Sequence, residues 1–499
     1  MPLTAGCDVA VVGGGTAGCV VAGLLAENGA DVVLLEAGPD YGSRASGSWP
    51  VDLLDAGALS GSHDWGYANV PVPGRGPLPF PRARVIGGCS SHNGAIAAVG
   101  CPEDYDGWAV LTGDPGWGAD AMRPRFARVL ERLRVRVYPD EEVGPFHRAC
   151  IEAAFALGLP RADDLHDLDG GVGFGVEPAN VEDGVRINAA FAYLDPVRSS
   201  GRLRVLDRAL CDRVIEDGSG VVVVARRDGS EARLRAGRVV LTAGAFGSPA
   251  ILLRSGVGDP GELAAAGVAA THGLPGVGRN LHDHPIAALE LSGSDALAEA
   301  LRAAEAVGFT PEEQSLGKAA SSRSSGRYDL HLIPVAPRPE SLLAGSLMIA
   351  VSALEPRSRG RLRLAGPDPE SAPLIDVGFL TDPDGHDLAV LLEGIELARA
   401  LVVQEPLASL AGREIAPGIG ADQAAAVRQT YDHYYHSVGT CAMGPGLDPH
   451  AVCDSMGRVH GLERVLVADC SLMPVVPRAN TNVPAAVVAE RIVEHLLRA

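Results

Sequence analysis

The sequence is poor in aromatic residues, and it lacks both a long apolar run and a paired cysteine motif. Phenylalanine, tyrosine and tryptophan together make up 4% of its 499 residues. Its apolar runs are interrupted by glycine, proline or a charged residue before they reach the ~18 residues that a membrane-spanning helix needs. The nine cysteines include no CxxC pair of the kind that binds zinc. These absences argue against a membrane-spanning protein, and we expect no metal site.

Positive charge is also scarce, because 42 lysine and arginine residues face 62 aspartate and glutamate residues, for a net charge of −20. Such a surface repels phosphate backbones and anionic lipid, so neither nucleic acid nor a membrane is expected as a partner. The N-terminal segment has no basic region ahead of its first apolar run, which argues against a signal peptide. An odd cysteine count fits reduced thiols. We therefore expect a cytoplasmic protein.

Glycine, by contrast, is abundant, with 62 residues, and three of them form a phosphate-binding pattern near the N-terminus. Gly13-x-Gly15-x-x-Gly18 follows a predicted strand at 8–12 and opens a predicted helix at 16–27. The three glycines allow a tight turn, close approach of a pyrophosphate, and close packing of helix on strand. The helix N-terminus then offers free N–H groups to the phosphates. The alternative interpretation is a glycine-rich turn that serves packing only.

A second predicted strand, 31–35, ends in Glu36, which supports the dinucleotide interpretation. A carboxylate at this position accepts hydrogen bonds from ribose hydroxyls. It would repel the 2′-phosphate of NADP, so that cofactor is disfavoured, whereas NAD and FAD both stay possible.

The apolar spacing predicts several elements further along the chain. The segment 238–249 again combines a strand with glycines, so we expect the dinucleotide domain to be discontinuous and interrupted by a second domain. The polar segment 315–327 is the most linker-like, and we expect an exposed or mobile loop there. The patterns also predict antiparallel strands and amphipathic helices at 346–354, 361–364, 387–403 and 484–497.

Six further motifs, in order along the chain, decide which cofactor family the sequence resembles. They are RARVIGGCSSHNG (82–94), AGAFGSPAILLRSGVG (243–258), VGRNLHDHP (277–285), HSVGTCAMG (436–444), VADCSLMP (467–474) and RANTNVPAAVVAER (478–491). Together they resemble the glucose–methanol–choline (GMC) family of FAD-dependent oxidoreductases, and most closely its choline oxidase and choline dehydrogenase-like members. The resemblance runs from the N-terminal strand to the C-terminal helix and departs only at about 287–328.

This resemblance implies an α/β fold with two interleaved domains. One is a discontinuous, Rossmann-like FAD-binding domain, and the other is a smaller α+β substrate domain with an antiparallel sheet. We expect FAD-binding segments at 1–150, 201–285 and 431–499, the last of which also carries active-site residues. The substrate domain is expected at 151–200 and 286–430, and a homodimer is a possible assembly.

The resemblance also implies FAD as the cofactor. His92 matches a histidine that some members bond covalently to the flavin 8α-methyl carbon; the alternative is a hydrogen-bonding histidine beside noncovalent FAD. Asp469 is expected to contact the FAD chain, although capping of a helix is an equally good interpretation of this residue. The residues expected to bind FAD are Gly13, Gly15, Thr16, Ala17, Gly18, Glu36, Arg84, Val85, Gly88, Ser91, His92, Asn93, Gly94, Ala95, Val214, Ala243, Asp469, Asn480, Thr481 and Asn482.

Alcohol oxidation removes the hydroxyl proton and transfers a hydride from carbon to flavin N5, so the protein must supply a proton acceptor. HSVGT matches the family's catalytic histidine motif, which makes His436 the expected base. Asn480 is expected to orient the substrate oxygen. His331 aligns with a second active-site histidine, although a histidine packed in an alternating strand is an equal alternative. Oxygen or another acceptor would then take the electrons.

The substrate is not expected to be choline. Choline-oxidising members hold the quaternary ammonium with a glutamate and an aromatic cage, but here the glutamate position falls near Ser315 and no tryptophan follows Trp117. Glu312 or Glu313 would supply a carboxylate if the alignment shifts slightly. Lys318 could favour an anionic or polyhydroxylated group, although we expect it to be a solvated loop lysine.

The leading prediction is therefore an FAD-dependent alcohol oxidase or dehydrogenase with His436 as its base. One alternative is a hydroxynitrile-lyase-like enzyme that uses FAD structurally on the same fold. Another is a catalytically silent flavoprotein, against which the intact pair of His436 and Asn480 argues. The motifs fit an oxidase and a dehydrogenase equally well, and they name no physiological alcohol.

Overall fold

The computed structural model describes residues 6–71, 75–338, 341, 343 and 346–498. Within these residues the helices are α1 (Thr16–Glu27), α2 (Val51–Leu54), α3 (Pro102–Thr112), α4 (Ala119–Arg132), α5 (Pro145–Ala156), α6 (Gly244–Arg254), α7 (Pro260–Ala265), α8 (Asp295–Val307), α9 (His386–Val402), α10 (Leu407–Ala411), α11 (Gln423–Thr430) and α12 (Asn482–Leu496). The strands are β1 (Cys7–Val12), β2 (Val32–Leu35), β3 (Arg136–Val137), β4 (Gly173–Val176), β5 (Pro178–Ala179), β6 (Val181–Glu182), β7 (Val185–Arg186), β8 (Leu203–Leu206), β9 (Ala209–Asp217), β10 (Gly220–Arg227), β11 (Ser230–Leu241), β12 (Val257–Gly258), β13 (His272–Gly273), β14 (Pro285–Leu291), β15 (Ser315–Ala319), β16 (Leu330–Val335), β17 (Leu347–Ala353), β18 (Arg361–Arg363), β19 (Leu374–Asp376), β20 (Glu414–Ala416), β21 (Asp432–His433) and β22 (Val465–Val467).

The glycine motif belongs to a seven-stranded sheet with the order β8-β2-β1-β11-β10-β9, in which β22 also pairs with β11. The strands β8, β2, β1, β11 and β22 are parallel, whereas β9, β10 and β11 form an antiparallel meander. The apolar runs of β1 and β2 are buried because α1 and α12 cover this part of the sheet. Helix α1 begins and ends at the residues that the sequence predicts.

A second seven-stranded sheet has the order β20-β14-β17-β16-β15-β4, with β21 paired to β14, and all of its pairings are antiparallel. Helices α5 and α9 pack against it and close a second apolar core. The strands predicted at 346–354 and 361–364 and the helices predicted at 387–403 and 484–497 are all present, with ends that differ by one or two residues.

The prediction of an exposed or mobile loop at 315–327 is wrong for its first part. Residues Ser315–Ala319 form β15, a fully buried strand between β4 and β16. Its polar side chains misled the prediction because each finds a partner inside the fold. The Ser315 hydroxyl, for example, lies 3.0 Å from Nδ1 of His147. Buried polar groups are tolerated when they are hydrogen-bonded in this way.

The interpretation of Lys318 as a solvated loop lysine is wrong for the same reason. Lys318 is the only lysine of the chain, and it is 1% exposed. Its ammonium group donates a hydrogen bond of 2.9 Å to the carbonyl oxygen of Leu165 and lies 5.0 Å from the ring centre of Tyr328. Burial lowers the pKa of Lys318 to about 8. The side chain therefore belongs to the core of the second sheet.

Three features of the described ranges bear on broad function. No helix in them combines the length and the apolar character needed to cross a membrane. The same residues contain no cluster of three or more histidine, cysteine, aspartate or glutamate side chains arranged to hold a metal ion. All nine cysteines are free thiols.

Candidate active site

The glycine motif lies where β1 turns into α1, and the backbone there passes very close to its neighbours. Gly13 has a φ of 103°, a conformation that residues with a side chain rarely adopt. A Cβ atom at Gly13 would lie 2.7 Å from the carbonyl oxygen of Thr242, and one at Gly18 would clash with the carbonyl oxygen of Gly13. Gly15 and Thr16 line a cavity, so the N-terminus of α1 opens onto that cavity.

Glu36 stands at the end of β2 beside this turn. Its two carboxylate oxygens accept hydrogen bonds of 2.7 Å from the backbone N–H groups of Gly14 and Gly38. Because the side chain is buried, its pKa is raised to about 7. Glu36 lines the cavity next to the glycine motif, which is the position from which a carboxylate accepts hydrogen bonds from ribose hydroxyls.

A second glycine segment meets the first at the cavity wall. The short 3-10 turn Gly88–Ser91 crosses the N-terminus of α1, and a Cβ atom at Gly88 would lie 2.6 Å from the Cα atom of Gly15. Position 88 therefore needs glycine, since a side chain there would push the two backbones apart. The turn ends at His92, which also lines the cavity.

His92 is a buried histidine in its neutral form. It is 6% exposed, and within the described ranges its Nε2 atom has no hydrogen-bond partner. Burial, together with the positive charges of Arg186 and Arg82, lowers the pKa of His92 to about 3. The imidazole therefore keeps a lone pair at neutral pH, which is the form that bonds to an electrophilic carbon.

His436 also lines the cavity, and the adjacent residues Asp283 and His284 hold it in place. Its Nδ1 atom is 3.0 Å from Nδ1 of His284, and the two rings are nearly perpendicular, at 87°. Asp283 accepts hydrogen bonds from the backbone N–H of His436 (2.8 Å) and from the hydroxyl of Ser437 (2.7 Å). Burial and the neighbouring histidines keep the pKa of His436 well below its usual value. Nε2 is therefore the ring nitrogen left for the cavity.

The chain reaches His436 through a strained residue. Tyr435 has a φ of 64°, a left-handed conformation that bulky residues seldom adopt outside functional sites. The guanidinium group of Arg82 lies 5.7 Å from the Tyr435 ring centre and donates a hydrogen bond of 3.2 Å to Ser437. The ring of Tyr434 lies 4.1 Å from that of His436. Packing on both sides thus stabilises the backbone that aims His436 into the cavity.

Asn480 lines the same cavity, just before α12. Among the residues that the structure describes, no group donates a hydrogen bond to its amide oxygen. Asn482, the first residue of α12, accepts a hydrogen bond of 2.9 Å from the hydroxyl of Thr16 at the start of α1. The N-termini of both helices therefore open onto one cavity, where their dipoles favour negative charge.

The cavity is continuous and has a volume of about 560 Å³. The glycine motif, Glu36, His436 and Asn480 all line this one cavity. Two residues of its wall, His92 and Asn480, each have a polar atom, Nε2 and Oδ1, without a hydrogen-bond partner among the residues that the structure describes. A glycine cradle and unsatisfied polar groups on the wall of one cavity suit an extended dinucleotide, and FAD has this form.

Two models of the GMC oxidoreductase family match the sequence, one at residues 7–286 and the other at 356–489. The chain belongs to the GMC oxidoreductase family. GMC oxidoreductases bind FAD, so this chain is an FAD-dependent alcohol oxidoreductase.

Relatives of this GMC oxidoreductase are similar along almost their whole length. Choline oxidase of Arthrobacter globiformis is 32% identical, over 97% of this chain and 93% of the relative. The mitochondrial choline dehydrogenase of Homo sapiens is also 32% identical, over 96% of this chain and 88% of the relative. Among solved structures, pyridoxine 4-oxidase from Mesorbium loti superimposes with a TM-score of 0.86 at 27% identity, over 99% of both chains.

Many of the residues predicted to bind FAD line the cavity of this GMC oxidoreductase. These are Gly13, Gly15, Thr16, Ala17, Glu36, Arg84, Gly88, His92, Asn93, Gly94, Ala95, Ala243, Asn480, Thr481 and Asn482. The predicted residues that do not line it are Gly18, Val85, Ser91, Val214 and Asp469.

Two of the residues that do not line the cavity have structural partners. Asp469 caps a short 3-10 helix by accepting a hydrogen bond of 2.8 Å from the N–H of Ser471, and it also accepts one of 2.6 Å from Ser248. The backbone N–H of Val214 donates a hydrogen bond of 2.9 Å to Ser255. For Asp469, the structure therefore favours the interpretation as a cap.

His331 lies next to the cavity but does not line it. Its Nδ1 atom is 3.4 Å from the hydroxyl of Tyr434, and its ring stacks on that of Tyr328. Strand pairing places it opposite Lys318. His331 therefore reaches the cavity wall only through Tyr434, which is itself a lining residue.

Several groups that shape the site were not predicted from the sequence. Asp283 and His284, which hold His436, belong to the quoted motif VGRNLHDHP, so the signal was present but was used only for the resemblance. Tyr434 directly precedes the predicted catalytic segment. Glu313, which the sequence offered as a carboxylate if the alignment shifts, does line the cavity. Glu177 comes from a distant part of the chain, and nothing in the sequence predicted that it lies near Glu313.

Proposed function

We propose that this GMC oxidoreductase oxidises the CH–OH group of a small alcohol and that His436 accepts the hydroxyl proton. The observation that carries the proposal is the contact of 3.0 Å between His436 and His284, which holds a neutral imidazole in the cavity that Asn480 also lines. FAD, when bound, supplies the acceptor for a hydride from the substrate carbon. In this proposal the residues that bind the cofactor belong to the part of the chain around the sheet with the glycine motif. The residues around the second sheet bind the substrate.

The proposal also requires one particular tautomer of each ring, because a contact between two Nδ1 atoms needs a donor on one ring and an acceptor on the other. A neutral imidazole has one N–H donor and one acceptor nitrogen. For His436 to accept a proton at Nε2, its own proton must stay at Nδ1, and Nδ1 of His284 is the acceptor that keeps it there. Asn480 orients the substrate oxygen between its amide and His436. His284 is thus a positioning residue, since it acts through His436.

The flavin is bonded covalently to His92 in this proposal. The support is local: His92 lines the cavity, its pKa is far below the usual range, and its Nε2 atom is unpartnered in the described part of the chain. The lyase alternative is not favoured, because the relatives reported above are named oxidases or dehydrogenases.

Anaerobic mixing with a panel of alcohols tests the reaction class. We expect the yellow flavin absorbance to bleach with a substrate alcohol and to return when an electron acceptor is added. Release of an aldehyde from a cyanohydrin without bleaching would instead support the lyase. Reoxidation rates with oxygen and with artificial acceptors then separate an oxidase from a dehydrogenase.

Substitutions of His284 test the tautomer assignment. We expect His284→Leu to lower kcat by ~10- to 100-fold, a part of the 10²–10⁴-fold that general base catalysis contributes. His284→Asn should restore most of this loss, because its amide oxygen can accept a hydrogen bond close to the former Nδ1 position. The measurement is the rate of flavin reduction at saturating alcohol.

His147→Leu is the matched control, because His147 is also a buried histidine but lies outside the cavity. We expect this variant to reduce the flavin at nearly the wild-type rate. Equal losses in His284→Leu and His284→Asn would contradict the assignment, since a merely structural defect does not depend on an acceptor atom.

A further inference from the structure

The proposed oxidation leaves one hydroxyl group near His436 without a role. Tyr434 lines the cavity, and its ring centre lies 4.1 Å from that of His436. Its hydroxyl oxygen lies 3.4 Å from Nδ1 of His331. The backbone at this residue is also fixed, because the N–H of Tyr434 donates a hydrogen bond of 3.1 Å to the carbonyl oxygen of His284. Tyr434 therefore contacts both the candidate base and a buried histidine.

His331 is fixed inside the second sheet. It lies on β16 and is fully buried, and its ring stacks on that of Tyr328 at an angle of 15°. Burial, the positive charge of Lys318 and the neighbouring His284 keep the pKa of His331 well below its usual value. The imidazole is therefore neutral, and it carries one proton on either Nδ1 or Nε2.

The surroundings of Nε2 favour one of these two tautomers of His331. In the part of the chain that the structure describes, this buried nitrogen has no hydrogen-bond partner. Buried N–H groups without an acceptor are rare in folded proteins, because such a group loses its hydration and gains nothing in return. The lack of an acceptor at Nε2 thus favours a proton on Nδ1, the nitrogen that faces Tyr434.

In this tautomer the N–H of His331 donates to the oxygen of Tyr434, and the hydroxyl proton of Tyr434 is left for another acceptor. Burial, together with the nearby carboxyl group of Glu313, raises the pKa of Tyr434 well above its usual value, so the hydroxyl keeps its proton at neutral pH. The side chain of Asn480, another lining residue, interacts with the same hydroxyl and opposes this rise. Tyr434 therefore offers a hydrogen-bond donor beside Asn480 and His436.

We propose that the hydroxyl group of Tyr434 donates a hydrogen bond to the substrate oxygen and stabilises the negative charge that forms there. This inference rests on the proposed alcohol oxidation and adds a catalytic residue to it. The proton of the substrate O–H moves to Nε2 of His436, and the oxygen keeps the electron pair of that bond. Tyr434 keeps its own proton throughout. His331 is a positioning residue, since it acts through Tyr434.

A donor that is fixed in this way acts on the charged oxygen more than on the neutral alcohol. The protein holds it in place before the charge forms, so no reorganisation is needed at that moment. Apolar side chains of β16 and β17, including Ile333, Val335 and Ala350, line the same cavity, and a hydrogen bond to a charged group is stronger where water is excluded. The hydroxyl should therefore affect kcat rather than KM.

The tertiary structure assigns this contact to a residue other than the one that the sequence suggests. His331 is the histidine expected at the substrate, but it does not line the cavity, whereas Tyr434 does. The hydroxyl of Tyr434 is therefore the group that can contact the alcohol, and the imidazole of His331 orients that hydroxyl.

Flavin reduction by the holoenzyme tests the inference. Tyr434→Phe removes the hydroxyl and keeps the ring. We expect it to lower the rate at saturating alcohol by ~10²-fold, as the loss of one oxyanion donor does, and to leave KM within about threefold. Tyr105→Phe is the matched control, because the buried hydroxyl of Tyr105 donates a hydrogen bond of 2.6 Å to the carbonyl oxygen of Val99, outside the cavity. This variant should reduce the flavin at nearly the wild-type rate.

A double-mutant cycle tests the positioning role of His331. His331→Leu leaves the hydroxyl of Tyr434 free to turn away, so we expect a loss of rate smaller than that of Tyr434→Phe. Adding His331→Leu to Tyr434→Phe should cost no further rate, because a residue that acts through the hydroxyl has no effect without it. Losses that multiply in the double variant would contradict this role.

Binding of a small oxyanion provides a measurement that does not depend on turnover. Acetate carries a negatively charged oxygen, as the substrate does after its proton has moved to His436. Sodium acetate should raise the Tm of the holoenzyme above its value in sodium chloride at equal ionic strength, because a ligand of the folded state stabilises it. Tyr434→Phe should remove most of this difference, and Tyr105→Phe should keep it.

The outcomes separate this inference from the proposed function. If alcohols bleach the flavin and Tyr434→Phe is reduced as fast as the wild type, or if it changes only KM, the inference fails while the oxidation stands. Equal losses in Tyr434→Phe and Tyr105→Phe would also overturn it. If no alcohol bleaches the flavin, the proposed function fails, and acetate decides the donor: a Tm shift that requires the hydroxyl of Tyr434 supports it, and no shift overturns it.

Discussion

His436→Ala is expected to lower kcat by ~10²–10⁴-fold while the flavin stays bound, because this is the contribution that a positioned general base makes. The imidazole is neutral, it is fixed at Nδ1 by His284, and its remaining nitrogen serves the cavity. Flavin reduction in a rapid-mixing experiment measures the loss directly, and the visible spectrum checks that the cofactor is still present.

The pH profile provides an independent check on the same residue. Protonation inactivates a general base, so activity is lost as the pH falls through the pKa of that base. Burial keeps the pKa of His436 well below its usual value. The acid limb of kcat/KM should therefore lie below ~6.5, the pKa of an unperturbed imidazole.

His433→Ala is the matched control for this prediction. His433 lines the same cavity three residues earlier, but it stacks on Phe80 with the two rings 3.5 Å apart. We expect its removal to lower kcat by far less than that of His436. Comparable losses in the two variants, or an unchanged rate in His436→Ala, would remove His436 from the mechanism.

His92→Ala is expected to convert a covalent flavin into one that washes off completely. The neutral imidazole, the unpartnered Nε2 atom and the position beside Gly94 all fit a bond to the flavin ring. Acid-precipitated wild-type protein should stay yellow, whereas the variant should release free FAD into the supernatant. The absorbance of pellet and supernatant is the measurement.

The control for His92→Ala is again His433→Ala, which should keep its yellow pellet. Binding of added FAD to the His92→Ala protein, measured before precipitation, separates loss of the bond from loss of the fold. A colourless wild-type pellet would show that the flavin is noncovalent and that His92 is a hydrogen-bonding residue.

Local sequence patterns predicted the cofactor half of the molecule well. The glycine motif, helix α1 and the carboxylate of Glu36 depend on interactions between residues that are close in the chain, and each has a recognisable signature. Gly88 and Gly15 are far apart in the sequence, yet each belongs to a motif, so both were expected near the cofactor.

Predictions based on polarity failed where partners came from distant segments. The residues of β15 look like a solvated loop until β4, β16 and α5 surround them, and Lys318 looks exposed until the carbonyl group of Leu165 accepts its hydrogen bond. Composition reports the side chains of a segment but not the groups that satisfy them. Composition alone therefore does not distinguish a buried polar strand from an exposed loop.

The sequence alone determined the family, the cofactor and the identity of the candidate base, because each rests on residues joined in short motifs. Only the tertiary structure decided which groups act on one another. In the tertiary structure, His284 contacts His436, His331 contacts Tyr434 rather than the cavity, and Glu177 lies near Glu313. These pairings depend on how the two sheets and their connections pack together. The partners in each pair come from segments that are far apart in the chain, so a local stretch of sequence does not reveal them.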